Sequence, residues 1–411
     1  MEKPKSKFLK ALFRRGDFHE SNNIALLDEL AINNKLIGYI GFDATAPSLH
    51  VGNLMQILKL RIMQHTGQKP IVLIGGGTTR IGDPSGKEET RKILSEAQIE
   101  KNIKNIQNVF NIFLKTNNPR LKPIFVNNYN WLGKLNYIKF LREIGRHFTI
   151  NKMLSFDSVK LRLEREQSLS YMEFNYMILQ AYDFLELNKS KNCLMQIGGS
   201  DQWGNIVNGV ELIKRQSGNQ VYGLTTPLIT LASGAKMGKT EKGAVWLDKK
   251  ILSHYDYWQF WRNTDDRDVI KFLKMFTDLP LNEIEKIKGN NINDLKILLA
   301  NEATKMLHGE KAAKESEKMA VSTFKLDSSG ETLPNIKIKN DILNKSVIEL
   351  VAYVTKSISK SEIRRLIKSN GIKINNQLVN DEKLIIENKL FLEKGFIKLS
   401  VGKKKHYKII I

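Results

Sequence analysis

Cysteine is almost missing from this chain: Cys193 is the only one in 411 residues. No intrachain disulfide can form, and no cysteine cluster exists for zinc. Histidine is sparse too, at seven scattered residues, so no metal site is expected. No apolar run approaches the ~20 residues a membrane span needs, so no membrane-spanning part is expected. Acidic residues are few beside basic ones, 43 against 65, which leaves a net charge of +22 and a pI near 9.7. Such a surplus suits a polyanionic partner, because Lys and Arg gain affinity from phosphates and released counterions. A general bias toward Lys, Ile and Asn gives the same balance, so charge alone leaves both readings open. The stretch 1–18 is basic without a continuous apolar core, so it does not read as a secretory signal. It reads as an amphipathic helix with Phe8, Leu9, Leu12 and Phe13 on one face, an organellar presequence being the alternative. A reducing, cytoplasmic compartment is expected.

What is present is an α/β pattern. The length favours two or three domains. Residues 38–43 read as a strand ending in a polar turn, and 54–66 have helical periodicity. Residues 71–74 are a continuous β-branched apolar run that enters Gly75-Gly76-Gly77-Thr78. The stretch Gln196-Ile197-Gly198-Gly199-Ser200-Asp201 repeats that order. Buried strands that run into glycine turns predict a Rossmann-like, doubly wound parallel sheet over 1–235, with a helical insertion at about 125–165. A loop and a helical domain are expected over 236–325, where Tyr255, Trp258, Phe260 and Trp261 recur at near-helical spacing and read as bundle core. Residues 326–345 read as a polar linker and 346–411 as a small α+β domain.

Three motifs carry chemistry. Pro47-Ser48-Leu49-His50-Val51-Gly52-Asn53-Leu54 leads into a helix and puts His50 and Asn53 in its first turn. That turn offers unpaired N–H groups and the positive dipole end, a natural phosphate site, and Gly52 lets a ligand approach closely. Lys236-Met237-Gly238-Lys239-Thr240 is a glycine-flanked loop with two cations three residues apart, suited to closing on polyphosphate. Tyr176, Gln180 and Asp183 fall at i, i+4 and i+7, one stripe of a helix whose other positions are nearly all apolar. Such an aligned polar stripe faces a polar cavity or forms a solvent edge.

Four blocks and the loop, in order, resemble bacterial-type tyrosyl-tRNA synthetases, a class I aminoacyl-tRNA synthetase family. The blocks are residues 39–54, the Ile81-Gly82-Asp83-Pro84-Ser85-Gly86-Lys87 stretch, the helical stripe, and residues 196–205. The resemblance spans nearly the whole chain and implies a tyrosine–tRNA ligase with tyrosine, ATP and tRNA(Tyr) as substrates. It implies that Tyr39 and Asp183 bind the phenolic hydroxyl, and that Asp83, Tyr176 and Gln180 hold the ammonium group. It places Gln196 and Gln202 near the carboxylate and adenylate, and Gly198 and Asp201 at the ribose. It assigns Asp43, Thr45, His50, Gly52 and Asn53 to ATP, and Lys236, Lys239 and Thr240 to pyrophosphate, with Lys87 and Arg91 as helpers. Mg²⁺ would accompany ATP, with no resident protein metal, and a homodimer through the 125–165 insertion is implied. Asn53 departs from the usual His, Gly238 from the Ser of many class I enzymes, and Ile40 from a position that can be Cys. Residues 357–375 resemble an S4-type RNA-binding domain, with Lys360, Arg364, Arg365 and Lys368 on about one helical side and Lys403-Lys404-Lys405 near the end. Two other readings remain: the related tryptophanyl enzyme, against which Tyr39 and Asp183 argue, and a non-catalytic RNA-binding protein on the same scaffold.

Overall fold

A computed structural model describes residues 3–84, 94–232, 234, 237–240, 243–324, 335–338, 342–355, 358–391, 395–402 and 405–410. The chain forms two compact units, Met1–Ala313 and Lys314–Ile411.

The first unit is built on six strands: β1 (Glu20–Ser21), β2 (Ile37–Asp43), β3 (Lys69–Gly75), β4 (Ile124–Asn127), β5 (Met195–Gly199) and β6 (Tyr222–Thr226). Their order is β1-β6-β5-β2-β3-β4; all neighbours are parallel except β1 against β6. The apolar runs of β3, β5 and β6 are buried almost throughout, as a sheet covered on both faces requires. From β2 the chain moves outward to β3 and β4, then returns to β5 on the other side of β2. The strand order therefore reverses between β2 and β5, which opens a crevice at their carboxyl ends.

The helix Val51–His65 follows β2. Between β4 and β5 the chain is a series of short helices ending in the helix Tyr176–Lys191, which is buried along much of its length. The stretch read as a helical insertion thus begins with β4, a half-buried edge strand whose four residues are too few to show a pattern. After the sheet, Trp258 and Trp261 of the helix His254–Arg262 are buried, with Trp261 against Phe272 and Phe276. Tyr255 and Phe260 are half-buried.

In the second unit β9 (Asn335–Lys337), β10 (Ile372–Ile374), β11 (Gln377–Leu378), β12 (Phe396–Val401) and β13 (Lys405–Ile410) form a sheet of order β11-β10-β12-β13-β9. The β13–β9 pair is parallel and the others antiparallel. The helices Val347–Thr355 and Lys360–Lys368 share its core through Val347, Leu350, Ile363 and Ile367, beside Ile397 and Leu399. Within the stretch read as a linker, Asn335–Lys337 forms β9; residues 325–334 and 339–341 lie outside the described residues. Lys360, Arg364, Arg365 and Lys368 are exposed, Lys360 paired with Glu349 and Arg364 with Glu382. Lys403 and Lys404 lie outside the described residues. Among the described residues no helix is long and apolar enough to cross a membrane.

Candidate active site

At the carboxyl ends of β2 and β5 lies a cavity of about 340 Å³. β2 contributes Tyr39 and Asp43, and the turn after it Thr45. From the helix Val51–His65 come Gly52 and Asn53. The buried helix supplies its stripe of Tyr176, Gln180 and Asp183. β5 and the turn beyond it add Gln196, Gly198, Asp201 and Gln202, and Asp83 closes the wall. Ile40 lines it as well. Residues scattered over 164 positions of sequence are thus brought to one hollow.

The helix start is strongly organised. His50 is the N-cap, its Nδ1 accepting from the Gly52 N–H at 3.0 Å, while its own N–H donates to Asn53 Oδ1 at 3.1 Å. With Nδ1 as acceptor, the neutral ring carries its proton on Nε2. Asn53 therefore does a cap's work that its amide oxygen suits, and its Nδ2 donor is additional. His50 sits beside the cavity but is not on its wall. Over this turn runs the Met237-Gly238 backbone. Gly238 has φ +94°, and a Cβ there would come within 2.6 Å of the Gly52 nitrogen. A Cβ on Gly52 would lie 3.1 Å from the Met237 oxygen. A side chain on Gly238 would therefore meet the helix backbone, whereas one on Gly52 would press first on the His50 ring, 2.7 Å from its Cβ, and only then on the loop. Lys239–Thr240 (β7) then pairs with Gly243–Ala244 (β8). Lys236 lies outside the described residues, as do Lys87 and Arg91.

At the other end the electrostatics are unusual. Asp183 is buried, and loss of hydration pushes its carboxyl up to about 7. Asn128 Nδ2 and Trp131 Nε1 donate to its two oxygens at 2.8 and 2.7 Å and oppose that rise, while the Asp43 charge adds to it. Tyr39 is 1% exposed, and burial followed by the Asp183 charge raises its phenol well above the ordinary value. Among the described residues its hydroxyl has no hydrogen-bond partner, and neither do Gln180 Oε1 and Gln196 Oε1. Three unsatisfied buried polar atoms around one cavity mark where a polar ligand is needed. Between the ends, Tyr176 Oη donates to Asp43 Oδ2 at 3.2 Å, and Gln202 Nε2 to Asp83 Oδ2 at 3.3 Å.

Sequence reasoning missed Asn128, Trp131, Thr78 and Gln56. Gln56 lines the cavity, held through its Nε2 by Thr226 Oγ1 at 2.8 Å. The available signal was position: Asn128 and Trp131 follow the carboxyl end of β4, and Thr78 that of β3, where ligands bind in open α/β sheets. Among the described residues no group of three or more His, Cys, Asp or Glu could hold a metal.

Residues 31–325 match the family model for tRNA synthetases class I (W and Y). The tyrosine–tRNA ligase of Pelagibacter ubique is 65% identical over 406 residues, 98% of this chain and 99% of that protein. The tyrosine–tRNA ligase of Zymomonas mobilis is 52% identical over 405 residues, 98% of each. A C-terminally truncated mitochondrial tyrosyl-tRNA synthetase from Aspergillus nidulans superposes with a TM-score of 0.70 at 30% identity, covering 78% of this chain and 95% of that one. The chain belongs to the class I tRNA synthetases of the tryptophan and tyrosine family.

Proposed function

We propose that the chain activates L-tyrosine with ATP to tyrosyl-adenylate and pyrophosphate, then transfers the tyrosyl group to the 3′ end of tRNA(Tyr). The observation that carries the choice of amino acid is the buried, partnerless Tyr39 hydroxyl acting with Asp183 in one cavity. A tyrosine phenol donates to the carboxylate and accepts from Tyr39, which satisfies both; a phenylalanine ring satisfies neither. Asp83, Tyr176 and Gln180 would take the ammonium group. Asp43, Thr45, His50, Gly52, Asn53, Gly198 and Asp201 would hold ATP, and Lys236, Lys239 and Thr240 the leaving pyrophosphate.

The chemistry needs no protein nucleophile. The tyrosine carboxylate attacks the α-phosphorus, the O–P bond forms, and the bond to pyrophosphate breaks with the electron pair leaving on pyrophosphate. A ribose hydroxyl of the tRNA end then attacks the carbonyl and AMP departs. The protein's part is alignment and charge stabilisation, for which the first turn of the helix Val51–His65 and the crossing loop are suited. Mg²⁺ would arrive on the ATP phosphates, since hard oxygens of the substrate supply most of its shell.

Three further assignments belong to this reading. Exposed Tyr137, Ile138, Ile150, Leu161 and Leu163 support a homodimer through the insertion. The basic helix Lys360–Lys368 supports an S4-like, RNA-binding role for the C-terminal part, read through phosphates and shape. Bacterial relatives and a buried lone Cys193 support a cytoplasmic setting. The test is charging: purified protein should attach tyrosine to a tRNA(Tyr) transcript and leave tRNA(Trp) uncharged with either amino acid. Tryptophan transfer to tRNA(Trp) would contradict the reading.

A further inference from the structure

Under the cavity floor runs a line of hydrogen bonds joining two of its carboxylates, Asp43 and Asp183. The Thr78 hydroxyl donates to Asp43 Oδ1 at 2.7 Å and accepts from Asn128 Nδ2 at 3.0 Å. That same Asn128 nitrogen donates to Asp183 Oδ2 at 2.8 Å. Asn128 Oδ1 takes the Gly77 N–H at 2.7 Å, which fixes which way the amide points. A hydroxyl has one proton and an amide two, so each donor in the line is committed. Thr78, Asn128 and Asp183 are all buried, where water cannot replace a lost partner. Gly75 belongs to the arrangement, since a Cβ on it would overlap both Asp43 Oδ1 and Thr78 Oγ1.

We propose that Thr78 is a positioning residue for amino-acid selection, acting on the Asp183 carboxylate through Asn128. Thr78 supplies the acceptor that holds one Asn128 N–H, so that the other is aimed at Asp183. Without that acceptor the Gly77 N–H still holds the amide oxygen, but one buried Asn128 N–H is left unpaired, and the amide gains by shifting off its line to Asp183, so the carboxylate that reads the phenol is held less firmly. The consequence is selective. Phenylalanine has the same ammonium and carboxylate as tyrosine but no hydroxyl for Asp183 to receive. Loss of the Thr78 hydroxyl also takes a donor from Asp43, which serves the ATP step for both amino acids, so the part carried through Asn128 shows in the tyrosine-to-phenylalanine ratio, whereas general damage to the cavity lowers both alike.

The inference rests on Asp183 reading the phenol, and the experiment separates the two. Amino-acid-dependent ATP–pyrophosphate exchange is measured with tyrosine and phenylalanine for wild type, Thr78→Val, Thr78→Ser and Asp183→Ala, each checked for native thermal unfolding. Thr78→Val should lower the tyrosine-to-phenylalanine ratio of kcat/KM about tenfold or more, any loss through Asp43 at the ATP step being common to both amino acids and dividing out of the ratio. Thr78→Ser keeps the hydroxyl and should restore the ratio. If Thr78→Val does not fold, Thr78→Ala is read in its place. A Thr78 variant without the hydroxyl that keeps the wild-type ratio, or that loses both amino acids equally, overturns the inference. If Asp183→Ala also keeps the ratio, the reading of Asp183 falls and the inference with it. If Asp183→Ala collapses the ratio, the inference alone has failed.

Discussion

Asp183 carries the sharpest chemical consequence at the scale of single residues. Burial makes its ionised form expensive, and two nitrogen donors recover part of that cost, leaving the carboxyl at about 7. A phenol that donates to it binds the carboxylate form. As pH falls through about 7 the carboxyl takes up a proton and stops being a pure acceptor, so tyrosine affinity should weaken. Above that range affinity should level off. A titration of tyrosine binding from pH 5.5 to 8.5, followed by tryptophan fluorescence, checks this; a flat profile would contradict it. Asp183→Ala should lower tyrosine activation by several orders of magnitude, and near-normal tyrosine kinetics in that variant would contradict the role. The stripe of Tyr176, Gln180 and Asp183 was legible in the sequence because a helix turns regular spacing into a common face. Asn128, Trp131 and Thr78 were not, since each lies just past a strand, where no periodicity links it to the carboxylate it serves.

Among the elements, the helix Val51–His65 is decisive. Its first turn is shaped by the His50–Asn53 capping box and crossed by the Met237-Gly238 backbone. Gly52→Ala should cost at least tenfold in exchange rate, since the added methyl would sit 2.7 Å from the capping His50 ring and 3.1 Å from the Met237 oxygen; rapid-quench kinetics checks it, and an unaffected ATP step would contradict the close approach. Farther along, Lys59 is fully buried and paired with Asp17. Removing one partner strands the other charge, so Lys59→Met should destabilise the protein by about 3–5 kcal/mol. Lys59→Met with Asp17→Leu should recover most of that loss. Denaturant unfolding of the two variants measures it, and equal stability of both would contradict the pairing. The strands β2, β3 and β5 could be read from apolar runs ending in glycine or polar turns. β4 could not, because four half-buried edge residues resemble the start of any amphipathic segment. The Lys59–Asp17 pair was equally hidden, since a lone Lys in an apolar helix gives no sign of a partner 42 positions earlier.

For the whole molecule, the sheet order decides where the site lies. The reversal between β2 and β5 gathers distant motifs, and that could be anticipated from their glycine-rich strand ends. How the second unit folds was less legible, because β9 lies in a polar, Pro-containing stretch that reads as linker and pairs in parallel with a strand about 70 positions later. Deleting residues 341–411 should leave tyrosine activation near wild type and cripple tRNA charging; comparing exchange with charging for that variant checks it, and unchanged charging would contradict the RNA role. The most direct test of the central claim is amino-acid-dependent ATP–pyrophosphate exchange with tyrosine, phenylalanine and tryptophan. Exchange driven by tyrosine alone is the predicted result. Exchange driven by tryptophan, or by no amino acid from folded protein, would contradict it.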